Sequence, residues 1–223
     1  MKKILLSLFW LWFILSIIAS FLFIDPYATA YYFIWVGICG SLLYSKRKKI
    51  KQAIDKMKIG WRLKFFLLAV VMILIEEAFV GILKPMSIGN FSSIPLAIFQ
   101  TQFFNLLALG TMALGWIVLL SHYHFSLAEV MVSTGLVGAF FYEGLLGLFA
   151  QGLLTGLWAF PLLVSAHAMI YLLPYLMIEE KIKQKRSMVK WLLFLVVMVV
   201  AFIVGGLLIG SIAEKAPYLF PPE

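Results

Sequence analysis

Seven apolar runs, at about 4–24, 28–44, 65–84, 103–121, 127–149, 154–178 and 189–213, dominate the chain. Crossing the hydrocarbon core of a bilayer takes about 20 apolar residues of helix, with a working range of about 17–25. The runs are continuous rather than alternating, so they read as helices and not as strands of a barrel. The expected fold is therefore all-α, a polytopic transmembrane helix bundle of about seven spans. Its shortest run, 28–44, follows a turn at Asp25-Pro26.

Composition points the same way. Hydrophobic residues make up 64% of the 223 and charged residues 13%, with a mean hydropathy of +1.04. Soluble domains average about half apolar and about a quarter charged. A soluble enzyme, a disordered tail and a disulfide scaffold are all excluded by that contrast. The lone Cys39 has no internal partner with which to form a bridge. Met1-Lys2-Lys3 and Ala28-Thr29-Ala30 resemble the ends of a signal peptide. The apolar stretch between them exceeds the about 7–15 residues of a signal core, so a retained helix is expected.

Orientation follows from the basic residues. With the N-terminus in the cytoplasm, the connections 45–64, 122–126 and 179–188 are cytoplasmic too. These and their flanks, with Lys2, Lys3 and Lys190, hold sixteen of the eighteen Lys and Arg residues, leaving only Lys84 and Lys215. The positive-inside rule then places the N-terminus in the cytoplasm and the C-terminus outside. The net charge of +8 thus reports topology, and nucleic acid is not an expected partner. Residues 1–223 read as a single integral membrane domain of the cell membrane, in contact with lipid.

Two connections carry some pattern. In 45–64, Ile50, Ile54, Met57 and Trp61 form a helical apolar stripe on a basic background, as in helices that lie on an anionic leaflet. The 85–102 stretch contains two prolines and reads as an extracytoplasmic loop or lid. Gly135, Gly138, Gly144, Gly147 and Gly156, together with the GxxxG of Gly206 and Gly210, are expected to let helices approach closely.

Ionisable groups within a span cost about 2.5–3.5 kcal/mol on insertion scales, so a functional argument starts with them. Four stand out: Glu76 and Glu77 in LIEEAFVGIL, Glu143 in FFYEGLLG and His167 in VSAHAMIY. With a rise of about 1.5 Å per residue, all four fall near one layer, at or beyond the midplane. Glu76 and Glu77 point about 100° apart. Two carboxylates in low dielectric do not both ionise cheaply, an arrangement suited to one acting as general base on water and the other as acid or ligand. Glu76, Glu77 and His167 are the candidate catalytic residues. Glu143 and His167 are candidate ligands for a divalent metal ion such as zinc. Asn105 and Gln102 lie close enough in depth to hydrogen-bond this layer. Each of these groups also has a structural reading, as a packing or hydrogen-bonding partner of another helix. His122 and His124, in a short cytoplasmic turn with Glu129 following, read as a solvated interfacial turn.

The LIEEAFVGIL segment resembles the first motif of the CAAX-processing and bacteriocin-processing family of intramembrane proteases. That resemblance implies a glutamate pair that activates water, matched by Glu76 and Glu77, and a last catalytic histidine, matched by His167. The chain departs from the family at Gly81, where an arginine would stand, and at Tyr171, where asparagine or aspartate would stand. It also lacks the intervening FxxxH, since Leu120 lies four residues before His124. A related group of membrane proteases, with an early glutamate pair, a middle glutamate and a late histidine, is similar in the order Glu76, Glu77, Glu143, His167. The lysine that group carries after its pair is absent. These resemblances imply a membrane peptidase acting on a transmembrane peptide. An ion or proton transporter, and a non-catalytic subunit binding lipid or a partner membrane protein, are the alternatives the residues leave open.

Overall fold

The computed structural model describes residues 2–23, 26–182 and 187–216. Asp25 of the expected turn, and Lys183, Lys185 and Arg186 of the basic connection, lie outside the described residues. Among the described residues the chain is helical throughout, with no strand. Helix α1 (Lys2–Phe23) is followed by α2 (Pro26–Tyr32), a π-helical segment (Phe33–Cys39) and α3 (Gly40–Lys56). Then come α4 (Trp61–Ser87), α5 (Ile94–His122) and α6 (Leu127–Val137), the last extended by a second π-helical segment (Gly138–Tyr142). Helices α7 (Leu145–Gln151), α8 (Leu153–Ile178) and α9 (Val189–Lys215) complete the bundle.

Four helical segments are long and apolar enough to cross a membrane, and the α6–α7 pair makes a fifth if its two parts form one span. The run expected as a single span at 127–149 is instead bent by 64° between Tyr142 and Leu145. Its apolar character continues through the bend, which is why hydropathy alone does not reveal it. Gly144 turns the corner with φ +62, a left-handed conformation that side chains with a Cβ adopt at a cost. The apolar part of α1, Ser7–Leu22, is shorter than those segments. The 28–44 run forms parts of α2 and α3 and the π-helical segment between them. The 85–102 stretch is mostly helix: α4 runs through Pro85 to Ser87, and α5 begins at Ile94 with Pro95 in its first turn. Proline is tolerated there because the first turn has no backbone acceptor for its missing N–H.

Burial separates the inside of the bundle from its periphery. Every residue of α8 from Pro161 to Ala168 is buried, as expected of a helix surrounded by others. Helices α4, α6, α7 and α1 all pack against it. Helix α9 instead exposes Leu192, Leu195, Val196, Val199 and Ile203. Such a continuous apolar face suits lipid rather than water.

Small residues decide where helices touch. An added Cβ at Gly81 would come within 2.5 Å of Ile98 Cα, and one at Gly135 within 2.5 Å of the Val164 carbonyl oxygen. Helices α4 and α5, and α6 and α8, can therefore meet backbone to backbone. The expected GxxxG contact is not made: Gly206 and Gly210 have no neighbour within 4 Å of an added Cβ. The adjacent Gly205 makes the approach instead, at 3.1 Å from Ala108 Cα. A one-residue difference rotates the contact by about 100° around the helix.

At the end of the bundle where α4 begins and α8 ends, basic residues are held in place. The stripe of the 45–64 connection is largely turned inward: Ile54 is buried, and Ile50 and Trp61 pack on the core. Only Met57 of the four is exposed. Lys64 Nζ donates to the Ile54 carbonyl at 2.7 Å, closing the end of α3. Lys51 pairs with Glu180 and Lys181 with Asp55, each at 2.5 Å. The Lys181 hydrogen bond holds the Asp55 carboxyl below its usual range.

Candidate functional site

Helix α4 carries Glu76 and Glu77 into the bundle, where their exposures are only 3% and 4%. Glu76 Oε1 accepts a hydrogen bond from the Tyr31 hydroxyl of α2. On the α5 side, Asn105 lines the same cavity as Glu77. The second oxygen of each carboxyl, Oε2, is buried without a hydrogen-bond partner. Two bonds fasten α5 to this turn of α4: Thr101 Oγ1 donates to the Glu77 carbonyl, and Gln102 Nε2 to the Leu74 carbonyl, both at 3.0 Å. Gln102 therefore serves the α4 backbone rather than a carboxylate.

His167 approaches from α8 and is equally buried. Its Nδ1 lies 3.1 Å from the Leu163 carbonyl. A carbonyl only accepts, so Nδ1 carries a proton and the neutral ring keeps its lone pair on Nε2. That Nε2 faces Glu143 Oε1 at 3.7 Å. The ring lies directly against Gly138, where an added Cβ would come within 2.2 Å of the imidazole Cγ. Gly138 is thus the floor on which the histidine rests, a more specific role than helix packing.

Glu143 stands at the break between α6 and α7. Its backbone N–H closes the π-helical segment onto the Gly138 carbonyl at 3.2 Å, and Gly144 then turns the chain. The break leaves its side chain half exposed, unlike the two glutamates of α4. Tyr142 and Tyr171 brace the surrounding helices by donating to the Ala108 and Leu109 carbonyls of α5, at 2.9 and 2.5 Å. Tyr171 is therefore committed to the α5 backbone, and the Gly81 position is filled by α5 itself. The close approach of Ile98 leaves no room at Gly81 for the arginine of the protease motif.

One cavity of about 440 Å³ opens among these helices. Glu76, Glu77, Asn105, Glu143 and His167 line it together, so the five residues singled out in the sequence converge. Its wall also includes Tyr31, Tyr32 and Lys84, which hydropathy and spacing did not mark. The Tyr31-Tyr32 pair is the available signal, because two phenols in a short apolar segment need polar surroundings. Gly138 gave no signal beyond its size.

Three carboxyls and an imidazole around an open cavity can polarise water, pass protons or bind a cation. Among the described residues, no three His, Cys, Asp or Glu side chains stand close enough to hold a metal ion. Glu143 and His167 would supply two donors, which falls short of a zinc site with three protein ligands.

The histidines of the turn between α5 and α6 lie elsewhere. His122 Nδ1 bonds the Val118 carbonyl at 2.9 Å, and the His124 carbonyl accepts from Lys190 Nζ at 3.0 Å. Glu129 there completes a capping box with Ser126 and pairs with Lys190 at 2.7 Å. No family model, curated protein or solved structure matches this chain.

Proposed function

We propose that the protein is a multi-pass hydrolase of the cell membrane that cleaves a peptide bond in a membrane-embedded substrate. The proposal includes seven spans, with the N-terminus in the cytoplasm and the C-terminus outside, because the basic residues gather at one end of the bundle. The observation that carries it is the meeting of Glu76, Glu77, Glu143 and His167, from α4, the α6–α7 break and α8, around one cavity. Buried carboxyls are costly in an apolar bundle, and two with unpartnered oxygens are retained more readily when they act on something brought to them.

Glu77, with Asn105 beside it in the cavity wall, takes a proton from water as the water oxygen attacks the substrate carbonyl carbon. Glu76, fixed by Tyr31, is the second carboxyl of the pair. Protonated at Nε2, His167 donates to the oxygen that gains charge, and Glu143 balances the imidazolium. The proton held by Glu77 then passes to the departing nitrogen as the C–N bond breaks. Atoms and charge balance without a metal ion.

The apolar packing toward the basic end favours this reading over transport. Phe65, Met112, Trp116, Ile170 and Tyr171 are all buried there, with Phe65 and Tyr171 stacked at 6.3 Å. A permeating ion needs a polar route through that layer. The test uses quenched-fluorescent apolar peptides in phosphatidylcholine vesicles. Wild-type protein is expected to cleave members of the library. Glu77→Gln is expected to cut the rate by about 10²–10⁴-fold while the protein stays folded. Equal cleavage by the Glu76→Gln/Glu77→Gln double variant would reject the proposal.

A further inference from the structure

The α2 side of the cavity differs in chemistry from the histidine side. Tyr31 and Tyr32 both line it, their rings meeting edge to face with centroids 4.8 Å apart. Beside them Glu76 gives one oxygen to Tyr31 and keeps Oε2 buried and unpartnered. A buried acceptor without a donor is costly, so an occupant that brings N–H or O–H groups is favoured. The ionisable side chains facing the cavity, besides its tyrosines, are Glu76, Glu77, Glu143, His167 and Lys84. Lys84 stands eight residues beyond Glu76, about 12 Å along α4, and is exposed at the rim.

Three carboxyls repel an anion. An ammonium group offers three donors and no acceptor, matching orphaned carboxylate oxygens, and the faces of tyrosine rings attract it as well. Val80 and Leu83 of the same wall are suited to an alkyl stem.

The geometry points to a subsite, formed by Glu76, Tyr31 and Tyr32, for a primary alkylammonium group carried by the substrate. On the hydrolytic reading, the peptide cleaved has a lysine side chain or a free amino terminus beside the scissile bond. Binding at the subsite does not itself depend on hydrolysis.

Calorimetry on the full-length Glu77→Gln protein in detergent, with n-butylammonium as probe and n-butanol as control, tests the subsite. The amine is expected to bind at least tenfold more tightly than the alcohol. Glu76→Gln is expected to remove most of that difference. Tyr32→Leu is expected to weaken the amine about fivefold, and Tyr32→Phe, which keeps the ring, to leave it nearly unchanged. Equal binding of amine and alcohol overturns the subsite, as does amine binding unaffected by Glu76→Gln in a protein whose helix content and melting are normal. Competition by a lysine-containing apolar peptide, and not by its glutamine counterpart, supports a peptide as the source of the ammonium. Competition by phosphatidylethanolamine alone overturns that source. Amine binding without cleavage of any peptide by the wild type removes the hydrolase and keeps the subsite. Cleavage without amine binding does the reverse.

Discussion

Two parts of this bundle bury polar groups, and they treat them in opposite ways. At the basic end the buried Lys190 ammonium bonds both Glu129 and the His124 carbonyl and lies 4.9 Å from the Phe125 ring centroid. Buried Lys64 reaches the last turn of α3. Around the cavity, Glu76 and Glu77 each leave an oxygen unbonded, and His167 stands 3.7 Å from Glu143. Satisfied groups hold helices together. Unsatisfied groups facing a cavity are available to an incoming molecule.

The largest effect that tests this contrast is on activity. Glu77→Gln should lower peptide cleavage by about 10²–10⁴-fold with little change in melting temperature, because the carboxyl works on substrate more than on the fold. A variant that melts early would move Glu77 to the structural class. The opposite outcome is expected at the basic end. Lys190→Met should destabilise the protein by about 2–4 kcal/mol, because Glu129 loses its counter-charge in a partly buried position. Adding Glu129→Gln should restore part of that loss, and chemical denaturation of both variants measures it.

Gly138→Ala comes next, because it joins the two classes. The new methyl would occupy the space of the imidazole, so a destabilisation of about 1–3 kcal/mol is expected together with a larger loss of activity. Gly206→Ala, where the space is open, should leave both nearly unchanged. Similar effects at the two glycines would contradict the close fit at His167.

The smallest effect is at Asp55. Lys181 lowers its carboxyl pKa in the folded protein, so its contribution to stability is present above the unfolded value, about 3.9, and falls as pH drops through the lower folded value. Asp55→Asn should therefore reduce the loss of stability on acidification below about pH 4 and leave activity alone. Melting temperatures at pH 7 and below pH 4 provide the check.

Much of the candidate site was legible from spacing. Helical rise is nearly constant, so the positions of Glu76, Glu77, Glu143 and His167 along their runs put them at one depth before any contact was known. Asn105 followed from the same measure. Tyr31 and Tyr32 were missed because a short apolar run displays no direction. The GxxxG of Gly206 and Gly210 did not reveal the contact at Gly205, because a small-residue motif does not say which face meets a neighbour. The bend at Glu143 was hidden inside an apolar run, with Gly144 indistinguishable there from a packing glycine.

The order of the residues was enough to establish an all-helical chain rich in membrane-length segments, with its basic residues grouped and four ionisable groups near one depth. Those properties depend on composition and on distance along the chain. Packing alone determined that the four groups share a cavity, that Gly138 supports His167 and that α6 breaks beside Glu143. Such features depend on how helices rotate and approach one another, and rotation is set by side chains far apart in sequence that touch only in the folded bundle.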